Sequence, residues 1–557
     1  MQPGRGKTTR YWRSHIGIEA TLCVVISIGI IVGTACLGIP FQGELSGHDA
    51  DFALRSLVGI NNNWGSPGFP PAWFVTADWG FGSAIFQYYP PLSYLSAFAL
   101  QWLLHCDPVS ALLGTLAISR LFSIYTAFLW LRCLVSVRSA LIGASAFAVM
   151  PFVALVNPII RFDFSEAVAC VIAPLFFWAI HRTRPAYRIL ALAIVVAGAF
   201  LTNIPAAVVC SLCAGFYAIT KAWRLATEAI AAGLLGVGLA SWYILPAALT
   251  LNAISTAALA DLGRNWISVL LPNGTARGTT SFDIVLMFSA AVSLLPMLML
   301  LRRMRHKVVR QVALSGIVAF LATTPLVIPF WLGFPPLRYV QFPWRFLLPE
   351  AILSAAALSL FCDGIGSKRT GIAIAASFVF AAALSVPPIL YAFDRFVAGN
   401  SIRFGSGGDR VAAAMRDFDP WEYIPDAARK AGWFAWMEQD RLPPNVSKNP
   451  VVTFGHITTT GFARVDGVIR LSGYSDGPAE VVIPQFWDTN WVLRQGEAKL
   501  LLDRDTGLVG VQVPHGSFDL VIERGPTPFS HEGLILSFLS VLLATSIRNI
   551  SASFAWW

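Results

Sequence analysis

Apolar runs long enough to cross a bilayer follow one another along most of this chain, and they constrain its fold more than any other feature. A helix needs about 20 mostly apolar residues to span the hydrocarbon core. The chain is 56% hydrophobic and only 13% charged, whereas a soluble protein carries about 25% charged residues. We therefore predict a polytopic α-helical membrane protein with about twelve spans. The predicted spans are 16–38, 109–134, 139–157, 164–181, 189–205, 206–221, 228–250, 282–301, 311–332, 344–361, 371–393 and 533–549. Pro205 interrupts the run 189–221, which could therefore form either one kinked helix or two short ones.

Basic residues lie between these runs and predict the side of the membrane on which each loop lies. Lys and Arg accumulate in cytoplasmic loops of membrane proteins. We therefore attribute the net charge of +9 to such loops and predict no nucleic-acid partner. The rule makes 16–38 a retained first helix with a cytoplasmic N-terminus. We interpret 87–105 as an external helix on the membrane surface, because one more crossing would reverse the predicted orientation of every later loop. The loops predicted to lie outside are 39–86, 157–163, 251–281 and 333–343, together with 395–530.

The segment 395–530 differs from the rest because short alternating runs replace the long apolar ones. Turn residues such as Asp476-Gly477 and Asp505-Thr506-Gly507 separate these runs, which is typical of a β-rich domain. The segment holds none of the eight cysteines, so the domain must fold on its own core without disulfides. We therefore divide the chain into a membrane module, 1–394, whose first external loop is 39–105, the β-rich domain, 395–530, and a final helix with its tail, 531–557.

Two carboxylates, Asp49 and Asp51, follow the first apolar run at its external end. Charged groups are costly near hydrocarbon, so such a pair suggests a function. One carboxylate could remove a proton from an acceptor hydroxyl, or the pair could hold a divalent cation. Alternatively, the pair only caps a helix beginning near Ala50. His48 is interpreted as a hydrogen-bonding neighbour, since no second His or Cys near it in sequence supports zinc, and the metal stays unknown.

Two further polar groups lie at predicted external ends of spans. Arg161, Asp163 and Glu166 occur within six residues between two apolar runs. Glu166 could simply lie at the start of a helix, where the helix dipole stabilises a negative charge. Alternatively, Arg161 could bind a phosphate through two parallel hydrogen bonds. The segment 338–346 places two arginines among aromatic residues. It could form a membrane-interface belt with snorkelling arginine, or clamp the phosphate of a lipid-linked donor.

Taken in order, these segments resemble the GT-C superfamily of integral membrane glycosyltransferases. Within it they are most similar to bacterial membrane proteins labelled "6-pyruvoyl-tetrahydropterin synthase-related" and their YfhO-like relatives. The eight scattered histidines do not support a pterin synthase site. The matching segments are Gly47-His48-Asp49 with Arg55, Gln87-Tyr88-Tyr89-Pro90-Pro91-Leu92, 161–166 with Ala173-Pro174-Leu175, Leu201-Thr202-Asn203-Ile204-Pro205, 341–346, and Glu422-Tyr423-Ile424-Pro425.

The resemblance implies an enzyme of the bacterial inner membrane whose site and β-rich domain face the periplasm. Such enzymes move a sugar from a polyprenyl-phosphate donor to a glycan or lipid acceptor, with inversion. An acidic residue of the first external loop is the usual base, which corresponds to Asp49 first and Asp51 second. Asn203 departs from the family, in which we expect a histidine beside Thr202. The residues then expected to bind substrate are His48, Arg55, Tyr89, Arg161, Glu166, Gln341, Trp344 and Arg345.

Two other classes of function remain open from the sequence. A lipid or polysaccharide transporter or flippase would often show matched halves and interrupted spans, and the sequence has no internal repeat. It also lacks a Gly-x-x-x-x-Gly-Lys-Ser/Thr segment for ATP-driven transport. The second alternative is a non-catalytic scaffold whose external domain binds envelope partners.

Overall fold

A computed structural model gives the fold of residues 47–65, 69–75, 77–182, 184–254, 281–334, 337, 340–364, 423–437, 441–465 and 468–553. Several sequence predictions lie outside these residues. They are the spans 16–38 and 371–393, Arg338 and Tyr339, Glu422, and most of the loop 251–281.

The described part is mostly helical up to residue 364 and becomes β-rich after residue 450. A π-helix, Phe152–Arg161, connects two of the α-helices. The α-helices are α1 (Ala50–Asn63), α2 (Ile85–Tyr88), α3 (Leu92–Leu104), α4 (Pro108–Leu131), α5 (Val137–Val149), α6 (Phe164–Ala169), α7 (Ala173–Ile180), α8 (Pro185–Thr202), α9 (Ile204–Lys221), α10 (Trp223–Leu239), α11 (Ser241–Leu249), α12 (Ser281–Leu300), α13 (Lys307–Leu321), α14 (Ile328–Gly333), α15 (Leu347–Asp363), α16 (Asp426–Lys430), α17 (Trp433–Met437) and α18 (Ser530–Ser553).

Within the described residues, seven helices are long and apolar enough to cross a membrane, or up to nine if two bent pairs each count as one span. The bent pairs are α10 with α11, at 81°, and α13 with Pro325–Trp331, at 84°. The seven helices correspond to predicted spans, but the predicted total of about twelve is not confirmed. The seven are Pro108–Leu131, Val137–Arg161, Pro185–Thr202, Ile204–Lys221, Phe282–Arg303, Pro343–Asp363 and Ser530–Arg548.

Proline and asparagine explain where two predicted spans and the run 189–221 break. The run 189–221 forms two helices because Asn203 ends α8 and caps α9, accepting a hydrogen bond from the Ala206 amide at 2.9 Å. The predicted span 164–181 is divided into α6 and α7, with Pro174 in the first turn of α7. Pro325 begins a short helix that turns away from α13. Proline lacks the amide hydrogen that a continuing helix needs, which accounts for the helix starts at Pro174 and Pro325.

The predicted surface segment 87–105 forms a helix too short to cross a bilayer. Its main part, α3, has 13 residues, which gives a length of about 20 Å against a hydrocarbon core of about 30 Å. In contrast, large apolar side chains of α18 point outward, and Leu534 and Phe538 are more than half exposed. An apolar outer surface of this kind suits a lipid surrounding. The chain is therefore a multi-pass membrane protein by the length and composition of its helices.

Among the described residues of the C-terminal half, eight antiparallel strands form two four-stranded sheets, as expected for the predicted β-rich domain. One sheet has the order β1-β4-β7-β6 and the other β2-β3-β8-β5. The turns at Asp476-Gly477 and 505–507 connect β3 to β4 and β6 to β7, where the sequence predicts turns. The strands are β1 (Val451–Phe454), β2 (Ile457–Val465), β3 (Val468–Ser475), β4 (Ala479–Phe486), β5 (Trp491–Gln495), β6 (Lys499–Leu502), β7 (Leu508–Val513) and β8 (Gly516–Arg524).

The buried apolar residues form two cores, and the first external loop belongs to the core of the sheets. The helical core surrounds α15, which packs against α5, α12 and α13. The second core joins α1 and the segment after it to the inner faces of both sheets. The Phe81 ring contacts Trp433 at 5.0 Å between centroids, and its carbonyl accepts the Phe486 amide at 2.6 Å. Gln87 of the same segment accepts a hydrogen bond from Arg524 of β8.

Candidate functional site

Five ionisable side chains from three parts of the chain meet in one place, which we name the ion cluster: Asp49, Arg161, Asp163, Glu166 and Arg345. Arg161 lies at its centre. Its Nη1 donates to Glu166 Oε2 at 2.8 Å, and its Nη2 donates to Asp163 Oδ2 at 2.9 Å. Arg345 Nη2 lies 3.8 Å from Asp163 Oδ2, and its Nε lies 3.7 Å from Glu166 Oε2. The cluster therefore combines two buried arginines with carboxylates that hold them in place.

The local backbone explains how three neighbouring residues point into one cluster. The π-helix ends at Arg161, and Arg161 Nη1 also donates to Asn157 Oδ1, four residues earlier, at 3.1 Å. Phe162 then takes a left-handed conformation with φ 52°, which reverses the chain direction. Asp163 caps α6 by accepting the Glu166 amide at 3.0 Å. A π-helical segment and a left-handed non-glycine residue are both features enriched at functional sites.

Asp49 joins the cluster from the first external loop, 112 residues away in sequence. Its Oδ2 lies 3.5 Å from Arg161 Nη2, and its amide donates to the Arg161 carbonyl at 2.6 Å. His48 Nδ1 lies 3.1 Å from Asp49 Oδ1. The helix α1 does begin at Ala50, but the Asp49 side chain makes no capping hydrogen bond. The carboxylate thus faces Arg161 and not the helix end, and it is 32% exposed while Arg161 is only 8% exposed.

Gly47 allows this close approach of the first loop to the π-helix. Its φ is +137°, and a Cβ there would lie 2.6 Å from Phe162 Cβ and 2.9 Å from the Ile159 carbonyl oxygen. We therefore expect Gly47→Ala to lower the free energy of unfolding by about 1–3 kcal/mol and to displace Asp49. The measurement is denaturant unfolding of the purified protein. Gly65→Ala is the matched control, since a Cβ at Gly65 meets no atom within 4 Å; equal losses in both variants would contradict the prediction.

Tyr89 and Asn203 connect to the ion cluster through Ser165. The sequence did not single out Ser165 as a site residue. Tyr89 Oη lies 2.6 Å from Ser165 Oγ, and Asn203 Nδ2 donates to the same atom at 2.8 Å. Ser165 Oγ in turn donates to Asp163 Oδ1 at 3.2 Å. Burial, with the charge of Asp163, raises the pKa of Tyr89 well above its usual value, so Tyr89 stays a neutral donor. Asn203 therefore positions a serine at the site and also caps α9.

Trp344 and Gln341 support the two arginines. The Arg161 guanidinium lies 4.4 Å from the centroid of the Trp344 ring, which is 2% exposed. Gln341 Oε1 accepts from Arg345 Nη2 at 3.3 Å. Arg345 is itself buried, so a snorkelling arginine in an interface belt does not describe it. A buried Trp344 acts on Arg161 through a cation–π contact.

Asp51 and Arg55 lie on the first turns of α1, beside the cluster in sequence. Asp51 is half-buried, and Arg55 Nε donates to the Asp51 carbonyl at 3.4 Å. The structure thus brings Asp49 into direct contact with Arg161 and places Asp51 on the helix that follows. No group of three or more His, Cys, Asp or Glu among the described residues is arranged to hold a metal ion.

The charges and unused polar atoms of the cluster define what it can bind. Three carboxylates against two guanidiniums give a formal charge of −1. Burial favours the neutral form of Asp163, but Arg161 and Arg345 outweigh it and hold the pKa of Asp163 below its usual value. Buried polar atoms normally have partners. Four here have no hydrogen-bond partner in the described part of the chain: Asn157 Nδ2, Glu166 Oε1, Trp344 Nε1 and Arg345 Nε.

No protein-family model matches the chain, and no curated protein sequence matches it. Among solved structures, it is similar to the arabinofuranosyltransferase AftD from Mycobacteria, with 18% identity and a TM-score of 0.39 over 76% of this chain and 28% of AftD. It is also similar to an Archaeoglobus fulgidus oligosaccharyltransferase tethered to an acceptor peptide, with 16% identity and a TM-score of 0.42 over 74% of this chain and 59% of that one.

The Archaeoglobus fulgidus oligosaccharyltransferase AglB, in complex with an inhibitory peptide and a dolichol-phosphate, gives 14% identity and a TM-score of 0.40 over 79% of this chain and 59% of AglB. The chain therefore spans between about a quarter and three fifths of the structures it resembles.

Proposed function

We propose that this chain is a membrane glycosyltransferase of the GT-C type that moves a sugar from a polyprenyl-phosphate donor to a glycan or lipid acceptor outside the cytoplasm. One observation carries the proposal: a partly exposed carboxylate, Asp49, lies 3.5 Å from the buried guanidinium of Arg161. An accessible base beside a buried cation suits a transfer reaction, in which the base removes a proton from the acceptor and the cation stabilises the phosphate that the donor releases. In this proposal the site and the β-rich domain face the periplasm of a bacterial inner membrane.

The reaction is a single displacement with inversion. Asp49 takes the proton of the acceptor hydroxyl, and the hydroxyl oxygen forms a bond to the anomeric carbon. The bond between that carbon and the phosphate oxygen breaks, and polyprenyl phosphate leaves with the electron pair. A positioned base of this kind contributes about 10²–10⁴-fold to the rate.

The arginines and unused donors of the cluster receive the phosphate. Arg345 Nε, Trp344 Nε1 and Asn157 Nδ2 are buried donors for which the described residues supply no acceptor at hydrogen-bond distance, since Glu166 Oε2 lies 3.7 Å from Arg345 Nε. Phosphate oxygens accept such hydrogen bonds, and arginine matches phosphate geometry well. Asp163 and Glu166 keep the two guanidiniums in position while the negative charge grows on the leaving oxygen. The cluster thus supplies both binding and transition-state stabilisation.

The direct test is an assay of the purified full-length protein with polyprenyl-phosphate sugars and an acceptor mixture. We expect formation of polyprenyl phosphate and of glycosylated acceptor, both dependent on the protein. Reconstitution in vesicles distinguishes the transporter alternative, since a flippase would move the lipid-linked sugar across the membrane without cleaving it. Movement of intact donor with no cleavage across a panel of donors would contradict the proposal.

Arg345→Lys is expected to weaken donor binding more than it weakens folding. Lysine keeps the charge but loses the planar fork that can donate two hydrogen bonds to phosphate. A hydrogen bond to a charged group is worth about 1.5–3 kcal/mol, so we expect donor affinity to fall about tenfold or more. Affinity is measured by donor-dependent thermal stabilisation. Arg429→Lys, which changes a half-exposed arginine paired with Asp426, should leave donor affinity unchanged. The same donor affinity in both variants would count against phosphate binding by Arg345.

A further inference from the structure

Arg120 lies at the middle of a helix long enough to cross the membrane, and neither the ion cluster nor the proposed reaction uses it. It is the thirteenth of the 24 residues of α4. At 1.5 Å per residue it lies about 17 Å from either end of the helix. Ionisable residues at such depth are rare and costly, and they mark functional sites more often than not. The surroundings of Arg120 therefore need an explanation.

The guanidinium of Arg120 has little to bind within the described residues. Its Nη2 donates to the Ala148 carbonyl at 3.2 Å. No carboxylate of the described residues lies within 4 Å of it, and its buried Nε has no hydrogen-bond partner there. A guanidinium carries five N–H donors. Arg161, by contrast, has three carboxylates around it. Arg120 is thus a cation in the membrane interior whose charge the described chain does not balance.

Cys170 lies near both Arg120 and the segment that carries Glu166. It is one turn after Glu166, and its Sγ lies 3.7 Å from the Glu166 carbonyl oxygen. Arg120 is near enough to interact electrostatically with Cys170. The chain breaks between α6 and α7 directly after Cys170, and Thr126 of α4 donates to the Val171 carbonyl in this break at 2.8 Å. Broken helices and a buried cation together are a usual setting for a ligand within the membrane.

We propose that Arg120 binds a phosphate group of a lipid ligand, forming a second anion site deeper in the membrane than the ion cluster. No carboxylate of the described residues pairs with Arg120, and its Nε has no acceptor among them. An anion would supply both, and a phosphate provides several acceptor oxygens at once. Arg120 is half-buried as a whole residue, and its Nε is a buried donor that no described residue satisfies. The proposal does not depend on the transfer reaction, because it rests only on the Arg120 charge in α4 that no described carboxylate balances.

A purely structural role makes a different prediction. If Arg120 only satisfies the Ala148 carbonyl near the end of α5, its replacement changes stability equally with and without lipid. If it binds phosphate, the effect of its replacement depends on the phosphate ligand, and the protein without ligand is not destabilised by losing an unbalanced charge. Ligand dependence therefore separates the two roles.

The experiment measures thermal unfolding of the full-length protein in uncharged detergent with four probes: a polyprenyl phosphate, the corresponding uncharged polyprenol, phosphatidylglycerol and inorganic phosphate. For the wild-type protein we expect the phosphate lipids to raise the unfolding temperature by several degrees and the polyprenol to leave it unchanged. Arg120→Gln should lose part or all of this shift. Arg138→Gln is the matched control, since Arg138 is an exposed arginine at the start of the next helix, and should keep the full shift.

An unchanged lipid shift in Arg120→Gln would overturn the proposal, as would an equal shift with polyprenol. A shift produced equally by inorganic phosphate and lost in Arg120→Gln supports the anion site and assigns it to free phosphate. If Arg120→Gln does not elute as a folded species, Arg120→Lys replaces it; a smaller shift supports the site and a shift equal to wild type overturns it. Asp49→Asn separates this proposal from the proposed reaction, because it should abolish transfer while keeping the shift.

Discussion

Replacing Asp49 by Asn is expected to reduce sugar transfer by about 100- to 10,000-fold while the protein keeps its fold. Asparagine has the size of aspartate but cannot accept the proton of the acceptor hydroxyl. The Asp49 side chain is partly exposed, caps no helix, and contacts Arg161 only at 3.5 Å. Its charge therefore contributes little that the folded state requires. The measurement is the rate of polyprenyl phosphate release by the purified variant, with its elution profile and unfolding temperature as checks on folding.

Asp51→Asn is the matched control for this prediction. Asp51 lies two residues further on, in the first turn of α1, and is the second candidate for the base. If Asp49 is the base, Asp51→Asn should transfer sugar at a rate within a few-fold of wild type. Near wild-type activity in Asp49→Asn would remove the base assignment, and a large loss confined to Asp51→Asn would transfer that role to Asp51.

Replacing Arg161 by Met is expected to destabilise the protein by about 3–5 kcal/mol, because removal of one member of a buried ion pair leaves its partners uncompensated. Arg161 is the central cation: its Nη1 and Nη2 bind Glu166 and Asp163, both of which are buried. Methionine fills much of the volume but supplies no donor. The loss is measured by denaturant unfolding in detergent, with Arg138→Met as the exposed control.

A second variant separates charge from packing at this position. Arg161→Lys retains a positive charge near Asp163 and Glu166, so it should recover part of the lost stability. It cannot donate to both carboxylates through a rigid fork, so recovery should stay incomplete. If Arg161→Met unfolds at the same denaturant concentration as the Arg138→Met control, the ion cluster does not hold this part of the fold together.

The sequence predicts the elements of this fold well where one local signal is enough. Alternating residues identify β1, β4 and β7, and the turns at 476–477 and 505–507 lie where glycine and aspartate indicate them. The apolar runs locate the long helices. Breaks are less predictable, because hydropathy does not register that Asn203 ends one helix or that Pro174 begins another. The sequence left 189–221 open between one kinked helix and two, and the structure has two.

The candidate site shows a similar division. Arg161, Asp163 and Glu166 are close in sequence, so their meeting is predictable from a short loop between apolar runs. The contact between Asp49 and Arg161 spans 112 residues, and only the family resemblance suggested it. Ser165 and Asn157 escaped notice because single small polar residues in apolar segments are common. Their roles depend on a left-handed Phe162 and a π-helix, which no residue pattern in the sequence indicates.

The core shared by α1 and the two sheets limits how this protein can be divided. Phe81 contacts both Trp433 and Phe486, and the Gln87 side chain accepts from Arg524. Cutting away the strands would leave the loop that carries Asp49 with a bare apolar face, so loss of activity in such a truncation would not assign acceptor binding to the sheets. The helical half therefore cannot be exchanged independently of the sheets. A chimaera between related proteins should transfer residues 47–90 together with the strands.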